Sequence, residues 1–249
     1  MRIRACHLYP DLFNLYGDRG NLIVFCRRAE WRGIQVQVDE VSFGQKSPFI
    51  DYDFIFLGGG AEQYVDIVVK DLQGKGPYLL EAVEKETVLL GIGLGFQVLG
   101  HHFSAQNGTM FPGIGLFDAH TKARPDRLKG NILLEVAADL QEEVERIGGV
   151  PLTTIVGFEN HSGRTFLGEA KPIGNVLKGW GNNGEDKTEG AVYKNAFGTY
   201  LHGPLLAQNP HLADLLLARA LSRKGEVKLD SLNDELEIYA HNVMKKRLL

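Results

Sequence analysis

Apolar positions along this chain follow one rhythm up to about residue 100 and another beyond it, as the alternation and helical periods below define. Residues 2–8 read as a first strand, and a turn-rich stretch follows over 9–20. From Asn21 the pattern becomes helical: Leu22, Phe25, Cys26 and Ala29 recur at i, i+3, i+4 and i+7, and Gly33 stands where a C-terminal cap belongs. Ile34, Val36 and Val38 then alternate as a strand. Strand, helix and strand in this short span form a βαβ unit, which implies parallel pairing with helices laid over the sheet. Residues 53–57 are the next strand, a nearly unbroken apolar run suited to burial on both faces, and it ends in Gly58-Gly59-Gly60. A helical stretch over 62–86 leads to the apolar run 88–90. After Gly91-Ile92-Gly93-Leu94-Gly95 the chain turns helical again through Phe96-Gln97-Val98-Leu99.

Beyond Gly100 the pattern predicts short strands over 113–121, 130–137, 154–158, 175–180 and 190–200, arranged as a meander with a polar hairpin at 181–186. Asn209-Pro210 opens a Leu-rich helix that closes at Gly225, with Asn as N-cap and Pro at the first helical position. A last helix is predicted from Ser231, acidic at its start (Asp234, Glu235, Glu237) and basic at its end (Lys245, Lys246, Arg247), which suits the helix dipole. No repeat, linker or low-complexity run divides the chain. The expectation is one α/β domain over 1–249, a mainly parallel sheet flanked by helices with added short strands and hairpins in the second half.

Composition narrows the classes. Thirty glycines in 249 residues exceed the usual share of about 7% and fall largely in turns. A net charge of −4 gives no basic excess to neutralise phosphates, so nucleic acid is not an expected partner. Cys6 and Cys26 are too few for a disulfide framework or a cysteine-built zinc site, and no histidine pair has the H-E-x-x-H spacing, so no metal site is expected. The N-terminal residues lack the apolar run of a signal peptide, and the longest apolar stretch, 88–99, is too short for a transmembrane segment. A cytoplasmic protein is expected.

The motif richest in chemistry is Gly91-Ile92-Gly93-Leu94-Gly95, at the junction of a buried strand and a helix. That is the layout of a nucleophile elbow, G-x-nucleophile-x-G, whose flanking glycines let strand and helix approach closely, but the nucleophile slot holds Gly93. A glycine-rich turn without chemistry fits the same residues. The dinucleotide fingerprint G-x-G-x-x-G does not, because Phe96 and Val98 stand where its third glycine belongs. Gly58-Gly59-Gly60 follows a neighbouring parallel strand and reaches the same sheet edge, where bare backbone amides could face an oxyanion. Gly74-Lys75-Gly76 fails the P-loop pattern, which needs Ser or Thr in place of Gly76 and Gly in place of Val69, so the chain shows no means of its own to bind ATP. Among the histidines, His202 in Gly198 to Pro204 and His161 in Gly157 to Thr165 stand in the densest contexts. Cys6 and Cys26 read as core residues, Asp18 on its own as a turn residue, and Arg127 on its own as a surface charge.

Together these segments resemble the class I glutamine amidotransferases, in the branch that contains cobyric acid synthase amidase domains and the GatD subunits of lipid II isoglutaminyl synthase. The resemblance to the GatD type spans almost the whole chain. It is carried by Leu15-Tyr16-Gly17-Asp18, Leu57 to Gly60, the elbow through Gly100, Gly157 to Thr165, Gly181-Asn182-Asn183 and Gly198 to Pro204. It implies a flavodoxin-like fold and a triad in which the elbow residue attacks the glutamine side-chain amide, a histidine serves as base and acid, and an aspartate completes the set. Those roles would fall on Gly93, His202 and Asp18. It further implies that Gly58, Gly59, Gly60, Leu94 and Gln97 bind the oxyanion or substrate and that Arg127 binds glutamine. Pro204 stands where other class I members carry a glutamate, which agrees with the branch assignment.

The departure is at Gly93, where the family has cysteine. Glycine supplies no nucleophile, so the chain is expected to be inactive as a glutaminase. Either an active-site cysteine has been replaced, which the otherwise complete constellation favours, or this is a pseudoenzyme that binds glutamine or acts as a scaffold. The resemblance implies L-glutamine as ligand, no cofactor in this chain, and a Mur-ligase-like partner of the MurT type carrying ATP and magnesium. That pair would amidate D-glutamate to D-isoglutamine in lipid II for peptidoglycan synthesis. The amidase subunit of a cobyric acid synthase-like enzyme is the alternative within the family.

Overall fold

A computed structural model describes residues 1–225 and 228–249. The first half builds four strands, β1 (Arg2–Leu8), β2 (Gln35–Val41), β3 (Phe54–Leu57) and β4 (Val88–Ile92). Helices α1 (Arg19–Glu30), α2 (Val65–Glu84) and α3 (Leu94–Leu99) connect or follow them. The second half adds β5 (His102–Ser104), β6 (Met110–Pro112), β7 (Ala119–Val136), α4 (Ala138–Arg146), β8 (Thr154–Leu167), β9 (Gly174–Lys178) and β10 (Thr188–Glu189). It ends with β11 (Ala191–Tyr193), β12 (Ala196–Thr199), β13 (Leu201–His202), α5 (Pro210–Ser222) and α6 (Glu235–Leu248).

One sheet has the order β11-β12-β4-β3-β1-β2 and is parallel except where β11 pairs with β12. Side chains alternate across it, as the period-2 geometry of strands requires. Ile3, Ala5, Phe54, Phe56, Val88 and Leu90 pack with α1 and α5, while Cys6, Leu8, Ile55, Leu57 and Leu89 pack with α2. Phe25 of α1 stacks on Phe54 with ring centroids 4.0 Å apart. This double coverage explains why β3 and β4 are apolar at nearly every position. The second sheet is centred on the antiparallel pair β7 and β8.

Several sequence expectations change in the second half. The predicted strands 113–121 and 130–137 are one long strand, β7, which starts only at Ala119 and is bulged between Ala123 and Leu128, around Pro125. Pro cannot donate to the ladder, so the irregularity falls where the sequence places it. The predicted strand 154–158 is the first part of β8, and α4 was not anticipated between the two. The predicted strand 190–200 is a hairpin whose second strand, β12, does not belong to a meander but lies parallel beside β4 in the first sheet. The last helix begins at Glu235 rather than Ser231. Asp234, at its N-cap, makes no capping bond; its carboxylate binds the Arg28 guanidinium at 2.5 and 3.0 Å.

Arg28 also meets Asp214 of α5 through two parallel bonds of 2.7 and 2.8 Å, and Arg32 reaches the same carboxylate at 2.9 and 3.0 Å. These four side chains are buried and balance in charge. They tie α1, α5 and the start of α6 together through planar, charge-assisted bonds, the geometry in which guanidinium groups are most effective. Removing the Asp214 carboxylate leaves Arg32 without an acid partner and Arg28 with Asp234 alone, two cations against one buried carboxylate. Asp214→Ala is therefore expected to lose about 3–5 kcal/mol of stability, measured as a fall in the urea midpoint. Arg27→Ala, which breaks only the exposed pair with Glu30, serves as the comparison and should leave the midpoint nearly unchanged.

Candidate active site

Because β12 pairs with β4 in parallel, the carboxyl ends of β3, β4 and β12 lie side by side. That brings three segments remote in sequence to one sheet edge: the glycine triplet, the elbow and the approach to His202. Such edges are where open α/β sheets hold ligands.

The elbow is tight. Gly93 is the only residue between β4 and α3, with φ +57° and ψ −114°, a conformation that glycine adopts without the cost borne by residues with a Cβ. A Cβ on Gly95 would lie 2.6 Å from the Leu57 carbonyl oxygen and one on Gly91 2.6 Å from Leu99 Cδ1, so both flanking glycines are required for close strand–helix approach. The Gly93 amide donates to the Thr199 carbonyl at 2.8 Å, fixing the elbow to the strand beside it.

Asp18, fully buried at the entry to α1, holds the other half of the arrangement. Its carboxylate accepts the Gly59 amide at 2.9 Å and approaches His202 Nδ1 at 2.9 and 3.2 Å. The carboxylate places the proton on Nδ1 and leaves Nε2 as the acceptor. A Cβ built on Gly93 would stand 3.4 Å from that Nε2 and 3.1 Å from Cε1, so the open ring nitrogen faces the elbow. Tyr16 covers the imidazole, its ring centroid 4.8 Å away, and takes up a positive φ of +54° to do so. Asn21 joins the same loop to the segment after His202 by accepting the Leu206 amide at 2.9 Å.

These contacts revise the expected role of the triplet. The Gly59 amide is committed to Asp18 and is not available to an oxyanion. Gly58 lies behind the cavity, where a Cβ would meet the Phe13 carbonyl oxygen at 2.5 Å, and one on Gly60 would overlap the Phe13 ring. The three glycines thus let the 13–18 loop lie directly on the end of β3. Leu15 completes the fit by donating its amide to the Gly59 carbonyl at 2.9 Å. Of the triplet, Gly59 and Gly60 line the cavity, as do Leu94 and Gln97. The Leu94 amide, at the first position of α3, has no acceptor within the helix.

The cavity encloses about 370 Å³, enough for an amino acid, and is lined by Gly93, His202, Arg127 and Glu62 among others. Arg127 sits at the β7 bulge and donates to Asn160 through Nε (2.8 Å to Oδ1) and Nη2 (2.6 Å to the carbonyl). Asn160 in turn donates to the Tyr16 hydroxyl at 3.1 Å. Arg127, Asn160, Tyr16 and His202 therefore form one connected rim. Neither Tyr16 nor Asn160 was singled out from sequence, although both lie inside the motif blocks. His161 lines the cavity, stacks on Tyr200 at 3.7 Å, and has its pKa lowered by burial. Its neighbour Glu159 instead holds the loop after β9, accepting the Trp180 and Gly181 amides at 2.8 and 2.9 Å.

Cys6 is a buried core residue as expected, whereas Cys26 is partly buried and packs against the edge of the core. Burial pushes the Cys6 thiol well above its usual range and Cys26 up to about 11, so neither has thiolate character. Among the described residues no helix is long and apolar enough to cross a membrane.

Known proteins resemble this chain over most of its length. Residues 4–210 match the CobB/CobQ-like glutamine amidotransferase domain. The chain is 38% identical over 242 residues to the lipid II isoglutaminyl synthase (glutamine-hydrolyzing) subunit GatD of Staphylococcus aureus, covering 97% of this chain and 94% of the relative. The GatD of Streptococcus pneumoniae is 36% identical over 239 residues, with 94% and 87% covered. In fold, the chain resembles the glutaminase domain of Trypanosoma brucei CTPS, with a TM-score of 0.55 at 10% identity over 92% of this chain and 96% of that one. On the strength of the family match and the GatD relatives, the chain belongs to the CobB/CobQ-like glutamine amidotransferases.

Proposed function

We propose that this chain is the glutamine-handling subunit of a lipid II isoglutaminyl synthase, acting in the cytoplasm beside a Mur-ligase-like partner of the MurT type. The observation that carries the reading is the Asp18–His202 pair, whose open Nε2 faces the central residue of a nucleophile elbow inside a cavity rimmed by Arg127. Likeness to two GatD subunits over nearly the full length supports the assignment of substrate and pathway.

In this reading Arg127 pairs with the α-carboxylate of L-glutamine, and the side-chain amide lies over the elbow. With cysteine at position 93, His202 Nε2 takes the thiol proton and the sulfur attacks the amide carbon. The oxyanion faces the Leu94 and Gly60 amides. His202 then returns its proton to the leaving nitrogen, ammonia departs, and water hydrolyses the thioester to glutamate. Asp18 holds the imidazole in the tautomer this sequence requires. Gly93 removes the attacking atom and leaves the other groups in place, so the chain as it stands binds glutamine and does not hydrolyse it. Ammonia must be joined to an activated carboxylate, and the 74–76 segment does not form a phosphate loop. ATP and magnesium therefore belong to the partner, and no cofactor is assigned to this chain. The strain-free fit of glycine at φ +57° favours one second reading, a non-catalytic glutamine-binding or scaffold role.

Calorimetry with L-glutamine should show saturable binding without ammonia release, weakened about tenfold or more by Arg127→Ala, the worth of one lost charged contact. Absence of binding both alone and in the assembled complex would overturn the reading. Gly93→Cys is expected to release ammonia from glutamine when the partner is present and to lower the denaturation midpoint. The cost of a Cβ at this backbone conformation is about 1–3 kcal/mol, offset in part by the greater backbone entropy of glycine in the unfolded chain. An inactive Gly93→Cys complex would leave the scaffold reading in possession. Affinity capture from the native host should recover an ATP-binding ligase; recovery of a cobyrinate-type synthetase instead would redirect the substrate assignment.

A further inference from the structure

Behind the elbow, and outside the cavity, lies a carboxyl group the mechanism above does not use. Glu189 ends β10 and is fully buried. Its Oε1 accepts two hydrogen bonds, from the Thr199 hydroxyl at 2.6 Å and from the Tyr200 amide at 2.8 Å. Its Oε2 has no partner, and among the described residues Glu189 forms no salt bridge. Thr199 relays the contact in two directions. Its hydroxyl accepts the Leu201 amide at 3.1 Å, and its carbonyl accepts the Gly93 amide at 2.8 Å. Thus one buried oxygen organises the three residues that join the elbow to His202. The turn carrying Glu189 is itself braced, because Asn182 both donates to the Gly190 carbonyl and accepts the Gly190 amide, each at 2.9 Å.

We propose that Glu189 is a positioning residue of this site that works as a neutral carboxylic acid, clamping Thr199 and Tyr200 so that the elbow and His202 keep their register. A carboxylate in this environment would bury a full charge with one oxygen unsatisfied, whereas the acid accepts both bonds at its carbonyl oxygen and leaves on Oε2 only a neutral unpaired O–H, a far smaller cost than a buried unpaired charge. The titratable groups acting on it are Glu159 of β8, whose charge opposes a second one nearby, and the Tyr200 phenol, itself held neutral by burial and bonded to Thr165 at 2.6 Å. Burial, opposed by the Thr199 hydroxyl and by the Tyr200 and Gly190 amides and reinforced by the Glu159 charge, pushes Glu189 up to about 8. A raised acid pKa stabilises the fold below the unfolded value and loses that contribution as pH rises toward the folded one. The window here runs from about 4.5 to about 8.

The test uses the chain as it stands, and only its last arm rests on the glutamine reading. The ¹³C carboxyl resonance of Glu189, identified by its absence in Glu189→Gln, should remain protonated at neutral pH and titrate near 8, the value to which burial raises it. The His202 ring resonances should shift with that same midpoint in the parent and lose this step in Glu189→Gln. Titration in the ordinary carboxylate range, or a His202 ring indifferent to it, overturns the proposal. Glu189→Gln keeps a neutral acceptor and should bind glutamine within about threefold of the parent, while Glu189→Ala should weaken it about tenfold or more. Equal affinity in both variants also overturns it; if Glu189→Ala does not fold, the resonances of the parent and of Glu189→Gln decide. A parent that binds no glutamine refutes the proposed function and leaves the resonance measurements to judge Glu189.

Discussion

The Asp18 carboxylate is the contact on which the rest of the site depends. It is fully buried, and its oxygens are met by the Gly59 amide and by Nδ1 of His202. A carboxylate in such a place is tolerated only when its oxygens are bonded, and the cost of leaving them bare keeps three remote segments together: the loop before α1, the end of β3 and the strand β13. Each of these segments then carries constraints of its own. The loop must lie flat on β3, which excludes side chains at 58–60; Tyr16 must turn back over the imidazole, which requires its left-handed backbone; and the first turn of α1 must pass Pro204, where a Cβ on Gly20 would come within 2.4 Å.

The glycines around the site are a record of close approach between segments. Gly91 and Gly95 let α3 lie against the sheet, and the triplet lets the N-terminal loop do the same from the other side. The elbow is clamped between these two approaches. Its position is then fixed in the third direction by the bond from the Gly93 amide to Thr199, and through Thr199 by Glu189. Rigidity at this edge comes from a few buried polar contacts within dense packing, where low local dielectric strengthens each hydrogen bond.

The first half of the fold was legible because its signals are local. The αβ alternation, the i, i+3, i+4, i+7 stripe of α1 and the apolar runs of β3 and β4 each report a single element and its burial. The second half was less legible because its architecture is set by pairing rather than period. Nothing in the sequence of β12 distinguishes a strand of a meander from one inserted parallel beside β4, and the placement of His202 depends on that difference. The resemblance, and not any motif read alone, implied that Asp18, Gly93 and His202 belong to one site, and the fold brings them together. The resemblance did not show that the Gly59 amide is consumed by Asp18, since a hydrogen bond across 41 residues leaves no periodic trace. The paired role of Asp214 and Asp234 was hidden for the same reason: each looks like an ordinary helix residue until Arg28 is placed between them.

Position 93, the centre of the elbow, is a glycine, and none of the contacts that shape the site uses a side chain there. His202 is oriented by Asp18 and covered by Tyr16, and the elbow is held by its own amide and its neighbouring glycines. Arg127 is aimed by Asn160. The geometry around the cavity is thus built independently of any side chain at position 93. Glycine at φ +57° also relieves the one backbone conformation in the site that a side chain would strain. The organisation of the site therefore does not depend on a side chain at the elbow, because every contact that shapes it is made by backbone amides or by side chains elsewhere.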